Sequence, residues 1–281
     1  MPVANISDTA RLTAYARALE TERPDALFCD RYSRRLAGKE GEALAEESGA
    51  VSTMAGALAS RTAVFDELLM QKVRHEGVDL VLNLAAGLDT RPWRLDLPAH
   101  LRWVDVDLPD ILSYKADLMK TERAACLYEA EAADLTQPAA LAQALARCGQ
   151  AKKIAVVSEG LLVYMRSEQV GELASQLHRQ GAIAWWITDL AGPRALAMME
   201  RSWGALLQGA RFQFAPADPA GFFDKWGWHE TEFRSSQDEA RRQGRAPHRP
   251  LLGRIAMSLA PARFREEIRR LSGCAVFERK R

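Results

Sequence analysis

The order of apolar and polar positions divides the chain into three regions with different rhythms. Up to residue 77 the apolar residues recur at helical spacing. The stretch "ISDTARLTAYARALETERP" (6–24) has Ser7 or Asp8 as candidate N-caps and stops before Pro24, the start and stop signals of a helix. "STMAGALASRTAVFDELLMQKVRHEG" (52–77) is a long amphipathic pattern closed by Gly77. Between them, "DALFCDRYSRRLAGKEGEALAEESG" (25–49) holds no clean period and reads as a looser connection.

From Asp79 strand-like runs take over: "DLVLNLAA", "LRWVDVD", "CLYEAEAAD", "KKIAVVSEGLLVY" and "AIAWWITDL". Helical patterns separate them in "LPDILSYKADLMKTERAA", "QPAALAQALARCG" and "SEQVGELASQLHRQG". This alternation predicts βαβ units and a mainly parallel sheet. Right-handed crossovers then place helices on both faces. After residue 191 the pattern predicts a helix in "GPRALAMMERSWGALLQG", a strand ending "DPAGFFDKWGWHETEFRS", a short helix in "QDEARRQG" and a last strand in "GCAVFERKR". Two late strands after five parallel ones predict a sheet finished by a hairpin-like edge. One α/β domain over 1–281 is expected, with a helical cap over 1–77, a βαβ core over 78–191 and a sheet-completing segment over 192–281.

Composition narrows the partners. Of 281 residues, 48% are apolar, enough for a sizeable core. Lys plus Arg number 38 against 37 Asp plus Glu, so no excess of base is available to neutralise a phosphate backbone, and no nucleic-acid partner is expected. No apolar run reaches the length of a membrane span. The N-terminus lacks the apolar core of a signal peptide. A cytoplasmic chain without membrane attachment is the expectation. Cys29, Cys126, Cys148 and Cys274 are far apart and form no CxxC, so they read as reduced thiols rather than metal ligands.

The chemistry gathers at "VLNLAAGLDTRPWRL" (81–95), where a buried run stops at a small-residue turn and a carboxylate follows at once. In an open parallel sheet, ligands bind beyond the carboxyl ends of the strands. Ala85, Ala86 and Gly87 let a ligand approach the backbone closely, although any strand-to-helix turn needs a small residue. Asp107 ends the second strand and can take both hydroxyls of a ribose, or cap the helix that Pro109 opens. Asp134 ends the third, where it can accept from an adenine amino group with Leu135 packed on the ring, or cap the next helix. Glu159 leaves the end of the fourth. Three carboxylates at one sheet edge suggest a nucleoside that also carries positive charge. Neither GxGxxG nor GxxxxGK[ST] occurs, and Asp89 would oppose a pyrophosphate. An adenosine without phosphates fits, and S-adenosylmethionine, with its sulfonium and ammonium, tolerates Asp89 and Glu159.

With "RPDALFCDRYSRRLAG", "SRTAVFDELL", "LNLAAGLDTRPWRL", "VDVDLPDILSYKADLM", "AADL" and "VVSEGLLVYM", the chain resembles the leucine carboxyl methyltransferase family. Within it the likeness is greatest to the bacterial branch of S-adenosylmethionine-dependent O-methyltransferases associated with polyketide-type products. The likeness runs from about residue 8 to 170. It implies a class I methyltransferase-like α/β fold, a doubly wound, mostly parallel seven-stranded sheet with an N-terminal helical cap. It also implies that Arg61 holds the methionine carboxylate, as a planar guanidinium can do bidentately. Ala85 to Gly87 would line the cofactor, Asp107 would bind the ribose, Asp134 and Leu135 would frame the adenine, and Glu159 would sit by the methionine ammonium. One departure stands out: the family's GAGLDTR has glycine where this chain has Ala85. The change is harmless in the β region and costly at positive φ.

The acceptor is read from what catalysis would need. A carboxylate, with a pKa near ~4, is already ionised at neutral pH, whereas a phenol, near ~10, wants a base. His75 ends a helix pattern, His100 lies at the wrong edge of the sheet and His178 sits on an amphipathic helix, while His229 in "GWHETEF" or His248 in a basic loop could approach a substrate. The lack of a clear base favours a small-molecule carboxylate slightly over a phenol or hydroxyl. A catalytically silent cofactor-binding module is the alternative from another class. A nicotinamide-dependent oxidoreductase is disfavoured by the missing GxGxxG. Tyr164, a turn beyond Glu159, is the candidate acceptor-side catalytic residue, or an aromatic that packs the strand end. Trp185 and Trp186, adjacent in a strand, should face opposite sides of the sheet as core. Phe222, Phe223, Trp226 and Trp228 could line an apolar acceptor pocket or pack an irregular segment. Arg241, Arg242, Arg245 and Arg249 could meet an anionic substrate or form a solvated face.

Overall fold

The strand–helix alternation closes into one seven-stranded sheet in the computed structural model, which describes residues 6–48, 50–203, 211–246 and 260–280. The strands are β1 (Leu80–Leu84), β2 (Arg102–Asp107), β3 (Leu127–Ala132), β4 (Ile154–Ser158), β5 (Ile183–Ala191), β6 (Trp228–Ser235) and β7 (Ser272–Arg279). They lie in the order β3-β2-β1-β4-β5-β7-β6. β1 to β5 run parallel, and β7 is antiparallel to both β5 and β6. The two late strands thus finish the sheet as an antiparallel edge, as the pattern predicts. The order reverses between β1 and β4, and the carboxyl ends of strands at such a reversal open a crevice.

The helices are α1 (Ile6–Thr21), α2 (Ser33–Ser48), α3 (Ala50–His75), α4 (Arg91–Arg94), α5 (Pro109–Met119), α6 (Pro138–Ala146), α7 (Ser167–Arg179), α8 (Pro193–Trp203), α9 (Pro219–Asp224), α10 (Ser236–Arg242) and α11 (Ala262–Arg269). Helices α4 and α9 are not foreseen by the pattern, and three others differ from the sequence expectation. α1 already includes Ile6, so Ser7 and Asp8 lie within it rather than before its start. The looser stretch contains α2, whose Gly38 sits at φ 64° and ψ −177°; that break splits the helical period into two short pieces and hides it. α11 buries none of its residues and so offers no apolar stripe to read. The tail of the helix expected beyond Trp203 lies outside the described residues, as do His248 and Arg249.

The β-pleat sorts the core onto two faces. Trp186 packs with Phe223, Trp228 and Phe277 on one, beneath α6 and α7. Trp185 faces the other with Trp103 and the α3 residues Phe65, Leu68 and Leu69, as the adjacent-tryptophan argument requires. A third cluster joins α1 and α2 to Ile111 and Met119 of α5 and to Phe212, and this seats the cap over the carboxyl ends of the strands. Phe223 and Trp228 are fully buried core residues, so the packing reading of that aromatic run holds for them. No helix among the described residues is long and apolar enough to cross a membrane.

Trp228 stands 5.7 Å from Trp186 between ring centroids and donates its indole N–H to the Ala174 carbonyl at 2.9 Å. Trp228→Ala should therefore cost about 3–5 kcal/mol of stability, measured by urea denaturation.

Candidate active site

A cavity of about 490 Å³ opens at the carboxyl ends of β1, β2, β4 and β5, walled by α1, α3 and α8. Seven of the residues expected at the site line it: Arg61, Ala85, Ala86, Gly87, Asp107, Glu159 and Tyr164. Asp134 and Leu135 do not. The Asp134 carboxylate turns back on its own loop and accepts from the Thr136 N–H at 2.9 Å and the Thr136 hydroxyl at 2.7 Å. Leu135 packs against the core instead. Neither aspartate caps a helix, because the N-caps of α5 and α6 are Leu108 and Gln137.

The turn after β1 is built from two left-handed residues, Ala85 at φ 53° and Gly87 at φ 50°. The Ala86 N–H reaches across to the Val106 carbonyl at 3.2 Å, and the Asp89 N–H closes the turn on the Ala86 carbonyl at 3.0 Å. Ala85 is the one residue with a side chain that adopts positive φ among the described residues. The left-handed conformation costs an L-residue roughly 1–2 kcal/mol. Asp107 holds the turn against β2, accepting from the Gly87 N–H at 2.5 Å and the Leu108 N–H at 2.7 Å. Burial pushes its carboxyl above the usual range, and those two N–H groups only partly offset the shift.

Asp89 explains the carboxylate just past the turn. It points back beneath the strands and accepts from Asn83 at 3.1 Å and from the Arg91 guanidinium at 2.7 Å. Arg91, with its side chain 3% exposed, also bonds Asp66 at 2.6 Å and Glu159 at 2.7 Å. Arg94 joins on Asp66 at 2.6 Å. Glu159 passes the chain to Arg61 at 3.0 Å, and Arg61 to Asp189 at 3.1 Å. In the other direction Asn83 donates to Asp105, which also accepts from Lys115, Trp103 and Tyr128 at 2.6, 2.8 and 2.9 Å. Four cations (Arg61, Arg91, Arg94, Lys115) thus face five carboxylates, and Asp107 stands apart as a sixth. Burial alone would raise Asp89 and Glu159, but Arg91 foremost, with Lys115 at Asp89 and Arg61 at Glu159, holds both below the usual range.

The cap is tied to the turn. Arg17 of α1 donates to the Leu88 carbonyl at 2.6 Å and to Asp30 at 2.9 Å, and Asp30 also accepts from the Thr90 hydroxyl at 2.7 Å. Tyr164, after β4, stacks on Phe212 with ring centroids 5.3 Å apart. The aromatic run Phe222, Phe223, Trp226 and Trp228 contributes nothing to the lining. Nor do the arginines Arg241, Arg242 and Arg245, because each finds acidic partners nearby: Asp238, then Glu67 and Glu239, then Glu20 and Asp25. Among the described residues no histidine lines the cavity.

Sequence reasoning overlooked Arg91, Asp66 and Asp189. Asp189 could have been found by the criterion already applied to its neighbours, since it lies near the carboxyl end of the fifth strand. Arg91 was visible as the arginine of the Asp-Thr-Arg triplet. Asp66 had no local signal, because only the approach of α3 to the turn gives it a role.

Two outcomes follow. Ala85→Gly should leave stability equal or slightly higher, since relief of the left-handed strain offsets the entropy of glycine. Ala85→Val, β-branched at positive φ, should lose about 2 kcal/mol, and chemical denaturation separates the two variants. The second concerns acid. Asp89 and Glu159 have folded pKa values below their unfolded ones, so their contribution to stability is present above the unfolded value near ~4 and disappears as pH falls through the folded values. The melting temperature should drop below pH 4, and Asp89→Asn should flatten that slope while lowering stability at neutral pH.

The profile of the leucine carboxyl methyltransferase family matches residues 10–178, more than half of the chain. A protein of Parafrankia sp., assigned by inference as an S-adenosyl-L-methionine-dependent methyltransferase, is 36% identical over 64% of this chain and 61% of its own length. Proteins given the same assignment in Streptomyces coelicolor and Frankia alni are 31% and 32% identical over 78% and 88% of this chain, and over 82% and 92% of their own lengths. Among solved structures, a DUF574-family protein of Streptomyces avermitilis is similar in fold with a TM-score of 0.60 at 13% identity, covering 97% of both chains. A methyltransferase-like protein of Thermobifida fusca gives a TM-score of 0.58 at 14% identity, over 86% of this chain and 89% of its own. The seven-stranded sheet with its reversal between β1 and β4 is the class I methyltransferase-like fold, and the chain belongs to the leucine carboxyl methyltransferase family.

Proposed function

We propose that the chain, an S-adenosylmethionine-dependent methyltransferase by family, forms a methyl ester on a carboxylate of a small-molecule acceptor. The residues at hand suit the cofactor. A cavity of about 490 Å³ falls within the range of roughly 300–1,000 Å³ usual for ligands of this size. Its buried ion chain carries one carboxylate more than cations, which favours a ligand of net positive charge. In this reading Asp107 takes the ribose hydroxyls beside the Ala85–Gly87 turn, Arg61 takes the methionine carboxylate, and Glu159 takes the ammonium. Asp134 and Leu135 would frame the adenine only by turning from their present partners. When bound, the cofactor supplies an electrophilic methyl group on a sulfonium.

The remaining work falls to the chain's own residues. The cap and α8 exclude water from the acceptor, which raises the reactivity of an anionic oxygen. The walls hold that oxygen in line, so that orientation replaces chance encounter. The cavity has no histidine among its described lining residues, and its carboxylates already hold hydrogen-bond partners. Asp89 and Glu159 are held ionised and hydrogen-bonded by arginine, so they are weak bases. Asp107 and Asp189 accept from backbone N–H groups, and Asp189 also from Arg61. Tyr164, whose phenol burial pushes above its usual value, stays protonated at neutral pH and is no general base. These committed groups support the reading: an acceptor that arrives already ionised, as a carboxylic acid does and a phenol does not, needs no base.

Ala85 favours one rival, a cofactor-binding module without turnover, because its methyl group occupies the turn where the family carries glycine. Tritiated methyl transfer to a panel of carboxylic acids and phenols decides among the readings. The expected product is a base-labile ester that releases labelled methanol, with kcat/KM for the acid flat from about pH 6 to 9 because the acceptor, with a pKa near ~4, is fully ionised throughout. Turnover of phenols alone, rising with pH, would replace the acid by a phenol. Cofactor binding without turnover of any acceptor would leave the silent module.

A further inference from the structure

We infer that Asp189, on β5, is a positioning residue for the amino-acid end of the cofactor. It fixes Arg61 and the turn that carries Glu159 against each other, so that the two groups meet the methionine carboxylate and ammonium together. The inference rests on the cofactor roles given to Arg61 and Glu159 in the proposed reading and adds the residue that holds them.

The strand register brings these groups together. β4 and β5 run parallel with Ser158 opposite Thr188, so Glu159 and Asp189 are the next residues along two neighbouring strands. The pleat sends Asp189 to the same face as Trp185 and Ile187, which is the face that α3 covers. Arg61 reaches it from α3 on that side. One Asp189 oxygen accepts from the Gly160 N–H at 2.7 Å and the other from Nη1 of Arg61 at 3.1 Å. Gly160 follows Glu159 directly and turns the chain at φ 70°. A single carboxylate thus ties the backbone beside Glu159 to the guanidinium that Glu159 faces. Asp189 and Arg61 both line the cavity, with side chains 21% and 23% exposed.

Arg61 places Nε on Glu159 at 3.0 Å and Nη1 on Asp189, and among the described residues its Nη2 donates to no protein group. Nη2 is therefore the donor open to a ligand carboxylate. An ammonium drawn to Glu159 competes with Arg61 for that side chain, whose second oxygen Arg91 already holds at 2.7 Å. Arg61 then keeps Asp189 as its remaining carboxylate partner. Asp189 suits that part because its other oxygen is anchored on a backbone N–H and does not follow the ligand. An arginine on a free stem loses rotamer freedom when it meets its ligand, whereas one held in place beforehand binds more tightly. Glu159 cannot hold Arg61 in the same way, since the ammonium claims it.

The test is calorimetry on the full chain with two probes: S-adenosylhomocysteine, which has the amino-acid end, and 5′-methylthioadenosine, which lacks it. Asp189→Asn keeps an acceptor for the Gly160 N–H but removes the charge that faces Arg61. It should raise the Kd for S-adenosylhomocysteine about tenfold, the worth of one hydrogen bond to a charged group, and leave that for 5′-methylthioadenosine unchanged. Arg61→Gln should weaken S-adenosylhomocysteine at least as much, and Asp189→Asn should add little to it, because a residue that acts through another has no effect once that other is gone. The inference is overturned if Asp189→Asn leaves the Kd for S-adenosylhomocysteine unchanged. It also fails if both probes weaken equally, which marks a merely structural role, or if the two substitutions add, which gives Asp189 a ligand contact of its own. An indifferent Arg61→Gln would overturn it together with the cofactor roles it rests on. None of these measurements contains an acceptor, so failure of the esterification reading, seen in the panel of acids and phenols, is a separate result.

Discussion

A continuous run of charged hydrogen bonds, from Asp105 under β2 through Asn83, Asp89, Arg91 and Glu159 to Arg61 and Asp189 on β5, links four strand ends and α3. Charges taken from water are unfavourable unless every one is matched, and removal of one partner from such a group costs about 3–5 kcal/mol. The run therefore exists only when β1, β2, β4, β5 and α3 are all in place. The geometry of the cavity floor is not set by any one turn but by this mutual condition. Asp66 and Arg61 stand on the same helix, so the cap's longest element is locked to the sheet through them.

The same constraint divides the cavity in two. The floor, over the strand ends, is charged. The roof, from α1, α3 and α8, is largely apolar, with the hydroxyls of Thr9 and Thr13 as polar interruptions. In the proposed reading the cationic cofactor lies on the floor and the acceptor under the roof. Arg17 and Asp30 tie roof to floor by holding Leu88 and Thr90. Left-handed Ala85 sits at the junction. Its strain is tolerated because the Ala86 N–H must reach β2, and the packed strands on either side fix that path.

The arrangement of strands and helices from residue 79 to 191 was open to reading, because each element there is a short periodic run bounded by turn residues. The adjacent tryptophans could be assigned to opposite faces from the pleat alone. Asp107 and Glu159 could be assigned to the cavity edge for the same reason: a parallel strand fixes which end its last residue occupies. Asp134 obeyed that rule and still missed the lining, because a single Asx turn with Thr136 redirected its side chain. Phe223 and Trp228 could not be told from pocket residues, since core and pocket both ask for large apolar side chains.

By itself, the sequence determined the sheet's composition, the small-residue turn and the kinship carried by its motifs, since these depend on periodicity and on residues close along the chain. Tertiary structure alone decided that α3 brings Arg61 and Asp66 under the turn and that β7 lies between β5 and β6. Those outcomes depend on which surfaces meet when apolar area is buried and charges find partners, and distances between remote residues are not written in local pattern.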